Sequence, residues 1–263
     1  MRAIIESNIC LRESDVSFKT IAGKCINTSL RPLGIQVVRG RSTDPAIKSF
    51  ISAKETVAAA RSAGLSVGDY LDQNHAEAGT TAASVDAMLR LSALPDSVER
   101  VCEIGPGSGR YAEKVIAALH PQVYEAYETA SDWWPHLRRL PNLITQPCDG
   151  HTLTNTRSAS VDLVHAHKVF VYIPFATTAG YLQEMARVVR PEGTVAFDIV
   201  TEDCLDEQTV NSWVTHGSIF LPTPRNWAID FLARRGLSLQ GNFFAAMSGT
   251  RTELLVFRRA SPR

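Results

Sequence analysis

Two periods of hydrophobic residues alternate from residue 101 onward, short apolar runs giving way to three-to-four spacing, which predicts strands alternating with helices. The run Val101-Cys-Glu-Ile meets Gly105-Pro-Gly-Ser-Gly109, and Tyr111 through Leu119 then sets Tyr111, Val115 and Leu119 on one helical face. Val123 to Glu128 reads as a second strand and Leu143 to Gln146 as a third, after a short helix broken at Pro135. Ser160 to His167 is apolar enough for a central parallel strand. Phe175 to Val189 carries Tyr181, Met185 and Val188 at helical spacing and stops at Arg190-Pro-Glu-Gly193. Thr194 to Val200 is a fifth strand, and Ser238 to Phe244 with Thr252 to Phe257 form a closing antiparallel hairpin.

The stretch before residue 101 has a different character. Ser52-Ala-Lys-Glu55 is a capping box that opens a helix through Arg61, with Gly64 as its stop. A helix from Ala82 to Leu91 turns Val85, Met88 and Leu89 inward. Through Lys54 the chain holds nine Lys/Arg and four Asp/Glu, so residues 1–60 read as a basic N-terminal extension and 61–263 as the main domain. Residues 203–235 scatter Trp213, Phe220, Trp227 and Phe231 among polar residues and two prolines, a lid-like insertion.

Composition narrows the function classes. With 263 residues, 44% hydrophobic and zero formal net charge, the chain can bury a full core and has no global bias toward nucleic acid. It lacks an apolar run of about eighteen residues, and Met1 to Asn8 lacks the apolar centre of a secretion signal. Cysteines at 10, 25, 102, 148 and 204 are odd in number and without CxxC spacing, which points to reduced thiols in the cytoplasm and away from zinc. The basic extension leaves room for contact with a membrane surface or a lipid-linked substrate.

The glycine turn names a ligand class. A dinucleotide fingerprint would need its third glycine where Arg110 stands, and Glu103 in front of the turn would repel a pyrophosphate while suiting a cation. Glu128, about twenty positions beyond the turn, is placed to accept ribose hydroxyl protons; Glu125 would lie inside the sheet layer. The segment Glu103-Ile-Gly-Pro-Gly-Ser-Gly resembles the first motif of class I methyltransferases that use S-adenosylmethionine, and Met185-Ala-Arg-Val-Val-Arg-Pro-Glu-Gly193 before an apolar strand resembles a later segment of that family. The resemblance implies an α/β, Rossmann-like sandwich: a seven-stranded, mostly parallel sheet with a reversed last strand, plus the N-terminal helical extension. It assigns the cofactor to Glu103, Gly105, Pro106, Gly107, Gly109, Tyr111, Glu128, Asp149 and Gly150, with His165 at its edge. Asp149 holds the family position that receives the adenine amino group. Tyr70 and Thr80 are weaker candidates for shaping the site.

Transfer to a hydroxyl needs a group that takes the proton. His167, at the exit of the fourth strand, is the expected general base, and Asp198, ending the fifth, is expected to orient it or the acceptor. Tyr172, Glu202, Asp203 and His216 are further candidates. Magnesium held by His167, Asp198 and Glu202 or Asp203 is disfavoured, because magnesium prefers oxygen ligands. The fourth strand is followed by His167-Lys-Val-Phe170 and not by Asn/Asp-Pro-Pro-Tyr/Phe, which argues against a nucleobase or glutamine-amide acceptor. Leu30 to Arg39, Ser66 to Tyr70 and His167 to Pro174 resemble bacterial methyltransferases that tailor sugars and polysaccharides. The expected reaction is O-methylation of a sugar, glycan or glycosylated small molecule. N- or C-methylation of a small metabolite is second, and a nicotinamide oxidoreductase on the same sheet is the alternative from another class.

Overall fold

The computed structural model describes residues 51–74, 79–247 and 250–261. The chain divides into Met1–Pro45 and Ala46–Arg263, and every described residue belongs to the second unit. The basic extension through residue 50, including Leu30 to Arg39, therefore lies outside the described residues.

Three helices precede the sheet: α1 (Ala53–Ala63), α2 (Val67–Asn74) and α3 (Thr80–Ser92). Ser52 caps α1 by accepting the Glu55 N–H, and Gly64 ends it at φ 67°. The helix crosses the 60/61 boundary drawn from charge, because capping fixes helix ends and charge density does not. Seven strands follow, β1 (Arg100–Ile104), β2 (Val123–Tyr127), β3 (Leu143–Gln146), β4 (Val161–Ala166), β5 (Val189–Ile199), β6 (Leu237–Met247) and β7 (Thr250–Arg259). Their order is β3-β2-β1-β4-β5-β7-β6, and β7 runs antiparallel to both its neighbours. The reversed last strand expected from the resemblance is therefore present, inserted between β5 and β6.

Connections between strands carry α4 (Arg110–Leu119), α5 (Trp134–Leu137), α6 (Phe175–Val188), α7 (Glu207–His216) and α8 (Arg225–Ala233). Alternation along the strands splits the interior in two. Val101, Tyr124, Ala126, Leu163 and Ala196 face α1 to α4, whereas Cys102, Ile104, Val164, Ala166 and Phe197 face α6 and α8. Every residue of β4 is buried, as a central parallel strand requires. Truncating one of these core side chains, such as Met185 to Ala, removes roughly 2–5 kcal/mol.

Two elements differ from their sequence-based outlines. β5 begins at Val189 and not Thr194, since the chain passes from α6 straight into extended backbone and pairs Val189 with Val161 across a register shift. A Cβ at Gly193 would lie 2.9 Å from the Val161 carbonyl oxygen, so this irregularity needs a glycine. The 203–235 insertion is two different things. In α7 only Thr209 is buried, but α8 buries Ala228 and Leu232 in the sheet core.

Strand order reverses between β1 and β4, and the crevice outside their carboxyl ends is where open α/β sheets bind ligands. The glycine turn and the His167–Tyr172 segment flank that crevice.

Candidate active site

The turn between β1 and α4 owes its shape to three glycines at positive φ, 63° at Gly105, 53° at Gly107 and 77° at Gly109. Gly105 donates its N–H to the Tyr127 carbonyl at 2.8 Å, and Pro106 accepts the Gly109 N–H at 2.9 Å. A Cβ at Gly105 would lie 2.6 Å from Val169 Cγ2, and at Gly109 3.0 Å from Leu137 Cδ2. At Gly107 it would meet nothing within 4 Å. Gly107 thus presents bare backbone to open space, the cradle expected of a cofactor turn.

Glu128 stands immediately past β2. It accepts N–H groups from Gly107 and Ala130, each at 2.7 Å, and burial raises its pKa. The acid at the end of β2 is thereby tied to the glycine turn. Glu125 lies inside the sheet, paired with Arg100 and accepting from Thr156. Asp149 folds the loop after β3 by accepting the Thr152 hydroxyl at 2.5 Å and the His151 and Thr152 N–H groups at 2.9 and 2.7 Å, and these bonds hold its carboxyl below the usual range. Gly150, at φ 83°, faces Thr129, bringing the ends of β2 and β3 together.

Beneath the turn runs a chain of buried polar side chains. Tyr124 O–H donates to Glu103 Oε2 at 2.6 Å, and its oxygen lies 2.9 Å from His165 Nε2. Register explains the meeting, because Glu103 pairs with His165 across β1 and β4. His165 sits 5.3 Å from His167, ring to ring, and His167 stacks on Tyr111 at 4.2 Å. Burial pushes Glu103 up to about 8, drives His165 down, and lowers His167 to about 3, with the Lys168 and Arg110 charges adding to the last. Burial thus favours the uncharged forms of Glu103 and of both imidazoles, and Glu103, bonded to Tyr124 inside the sheet, does not present the exposed carboxylate expected to attract a cation. His165 Nδ1 and His167 Nε2 are buried without a hydrogen-bond partner.

Asp198 is engaged elsewhere than expected. Its oxygens accept the Lys168 N–H at 2.6 Å and the Thr252 hydroxyl at 3.0 Å, and Lys168 Nζ lies 3.2 Å away. The structure therefore brings Asp198 to Lys168, and His167 to Tyr111. Thr81 donates to Asp72 at 2.5 Å, which also pairs with Arg110 at 3.4 Å, so α2 and α3 tie into the start of α4. Tyr172 sits 5.5 Å from Phe220, itself 6.0 Å from Trp213. Glu202 accepts the Arg225 N–H at the start of α8, the Asp203 carbonyl accepts from Arg251, and exposed His216 ends α7. Tyr70 packs against the α1–α4 core and Thr80 opens α3. Sequence reading passed over Lys168, Thr252, Tyr124 and Asp72. Only Tyr124 left a signal, an aromatic on the same strand face as Ala126.

The residues fit S-adenosylmethionine: an open glycine cradle, an acid at the β2 end beside it, and a loop acid after β3 at the same sheet edge. Among the described residues, no group of three or more His, Cys, Asp or Glu could hold a metal ion.

Comparison with known proteins agrees with this fold. An O-methyltransferase family protein from Burkholderia thailandensis superposes with a TM-score of 0.55 at 15% identity, covering 94% of this chain and 87% of that one. The N-methyltransferase NodS from Bradyrhizobium japonicum gives 0.54 at 16% identity over 73% and 100% of the two chains. Magnesium protoporphyrin IX methyltransferase from Synechocystis, with bound S-adenosylhomocysteine, gives 0.53 at 13% over 92% and 100%. No curated protein sequence matches the chain. The family model described as the methyltransferase domain matches residues 75–240. That span is well over half of the 263 residues, so the chain belongs to the methyltransferase-domain family, class I enzymes whose methyl donor is S-adenosylmethionine.

Proposed function

We propose that the chain methylates a hydroxyl oxygen of a sugar, glycan or glycosylated small molecule, with His167 receiving the proton. One observation carries the reading: a buried, uncharged imidazole with an unpartnered Nε2 at the exit of β4, on the crevice that holds the glycine turn. Bound S-adenosylmethionine supplies an electrophilic methyl group on a sulfonium.

The chain's own residues do the rest. Gly105 to Gly109 and Glu128 hold the donor still, which converts a bimolecular encounter into an oriented one. His167 is a weak base, because its protonated form is strongly disfavoured where it sits. It is sufficient for this proton. As the carbon–oxygen bond forms and the carbon–sulfur bond breaks, its electron pair staying with the departing thioether, the acceptor oxygen becomes an oxonium far more acidic than any imidazolium, so transfer to Nε2 runs downhill once attack is under way. Stacking on Tyr111 fixes the ring plane during that transfer. Half-buried Tyr172, Phe220 and Trp213 supply aromatic faces against which a pyranose ring can stack, which supports a carbohydrate acceptor.

The test is incubation with methyl-labelled S-adenosylmethionine and a panel of glycosides and aminoglycosides, followed by NMR of the product. A methyl ether carbon supports the reading. Label on nitrogen or carbon overturns the hydroxyl assignment, and label only on non-glycoside acceptors overturns the sugar.

A further inference from the structure

The turn leaving β4 is held in a conformation that its residue types disfavour. Lys168 has φ +56°, in the left-handed region that non-glycine residues seldom adopt. Three polar contacts surround it. Its N–H donates to Asp198 Oδ1 at 2.6 Å, its ammonium donates to Thr252 Oγ1 at 2.5 Å, and the same ammonium lies 3.2 Å from Asp198 Oδ2. Thr252 closes the ring by donating to Asp198 Oδ2 at 3.0 Å. The Lys168 and Asp198 side chains are 11% and 2% exposed, so water hardly weakens their attraction.

What Lys168 carries on either side matters for the site. Val169 packs on Gly105 so closely that a Cβ there would lie 2.6 Å from Cγ2, and His167 precedes it. We propose that Asp198 is a positioning residue for the cofactor: by clamping Lys168 at positive φ it seats Val169 against Gly105 and so sets the 105–109 turn. This rests on reading that turn as the S-adenosylmethionine cradle. Asp198 spends its own hydrogen bonds on Lys168 and Thr252, so its influence travels through the backbone. Without the clamp, residue 168 relaxes to negative φ and Val169 leaves its seat.

The test exploits glycine, which adopts positive φ without a clamp. S-adenosylhomocysteine is titrated calorimetrically into the full chain as wild type, Asp198→Asn, Lys168→Gly and the double variant. Asp198→Asn should weaken binding about tenfold, roughly 1.4 kcal/mol, and Lys168→Gly should bring the double variant back to within about threefold of wild type. An equal loss in both backgrounds, or no loss at all, overturns the proposal. If Asp198→Asn does not fold, Lys168→Ala against Lys168→Gly decides, since both lose the ammonium but only alanine keeps the strained backbone. The alanine variant should bind about tenfold more weakly, and equal binding overturns the proposal. Absence of binding by the wild type itself would instead defeat the cradle reading.

Discussion

The imidazole of His167 lies flat against the phenol ring of Tyr111, centroids 4.2 Å apart and planes 9° apart. The stack fixes the imidazole plane, while burial of the ring, with the Lys168 and Arg110 charges adding to it, disfavours the imidazolium. The consequence is a base whose pH dependence differs from that of a free histidine.

An ordinary histidine base loses half its activity near pH 6.5. His167, lowered to about 3, is already deprotonated across the whole working range. The kcat/KM profile should therefore show no acid limb between pH 7.5 and 5. An inflection near 6.5 in a stopped-time methyl-transfer assay would argue against His167 in this environment. His167→Ala should keep cofactor affinity and lower kcat about a hundredfold.

Stability without ligand should depend on pH from two directions. Glu103 is raised from 4.5 to about 8 in the fold, so the native state binds the extra proton and loses stability as pH climbs through that interval. His165 and His167 are lowered, so their contribution is present above about 6.5 and is lost as pH falls below it. Thermal midpoints of Glu103→Gln should exceed wild type at pH 8.5 and match it at pH 5. A midpoint for wild type that rises from pH 6.5 to 8.5 relative to this variant contradicts the assignment.

Gly107→Val should abolish S-adenosylhomocysteine binding, because its side chain would enter the open face of the turn. The fold should survive, with the positive-φ strain costing roughly 1–3 kcal/mol. Gly105→Ala differs in kind, since its methyl group meets Val169, and it should lower the thermal midpoint as well. Calorimetry and thermal unfolding on both variants separate the two effects.

Much of this architecture was legible in the chain. Apolar runs gave β1 to β4 to within a residue or two, and Ser52 and Gly64 marked the ends of α1. The glycine turn could be found from residue type and spacing, because backbone demands there leave few alternatives, and Glu128 lies against it. The pairing of Asp198 was not legible. Residue order puts His167 and Asp198 at the ends of two strands expected to be neighbours, but a lysine at positive φ carries no local signature, and that turn gives Asp198 to Lys168. The Glu103–Tyr124–His165 chain needed strand register, which three separate strands fix only once the sheet is assembled. The start of β5 hid behind a proline-containing irregularity that interrupts its apolar pattern.

The central claim is that the turn from Gly105 to Gly109 and Glu128 together hold S-adenosylmethionine. Its most direct test is calorimetric titration of the full chain with S-adenosylhomocysteine, repeated with Glu128→Ala. The wild type should bind one equivalent and the variant at least tenfold more weakly; no binding by the wild type, or undiminished binding by the variant, would contradict the claim.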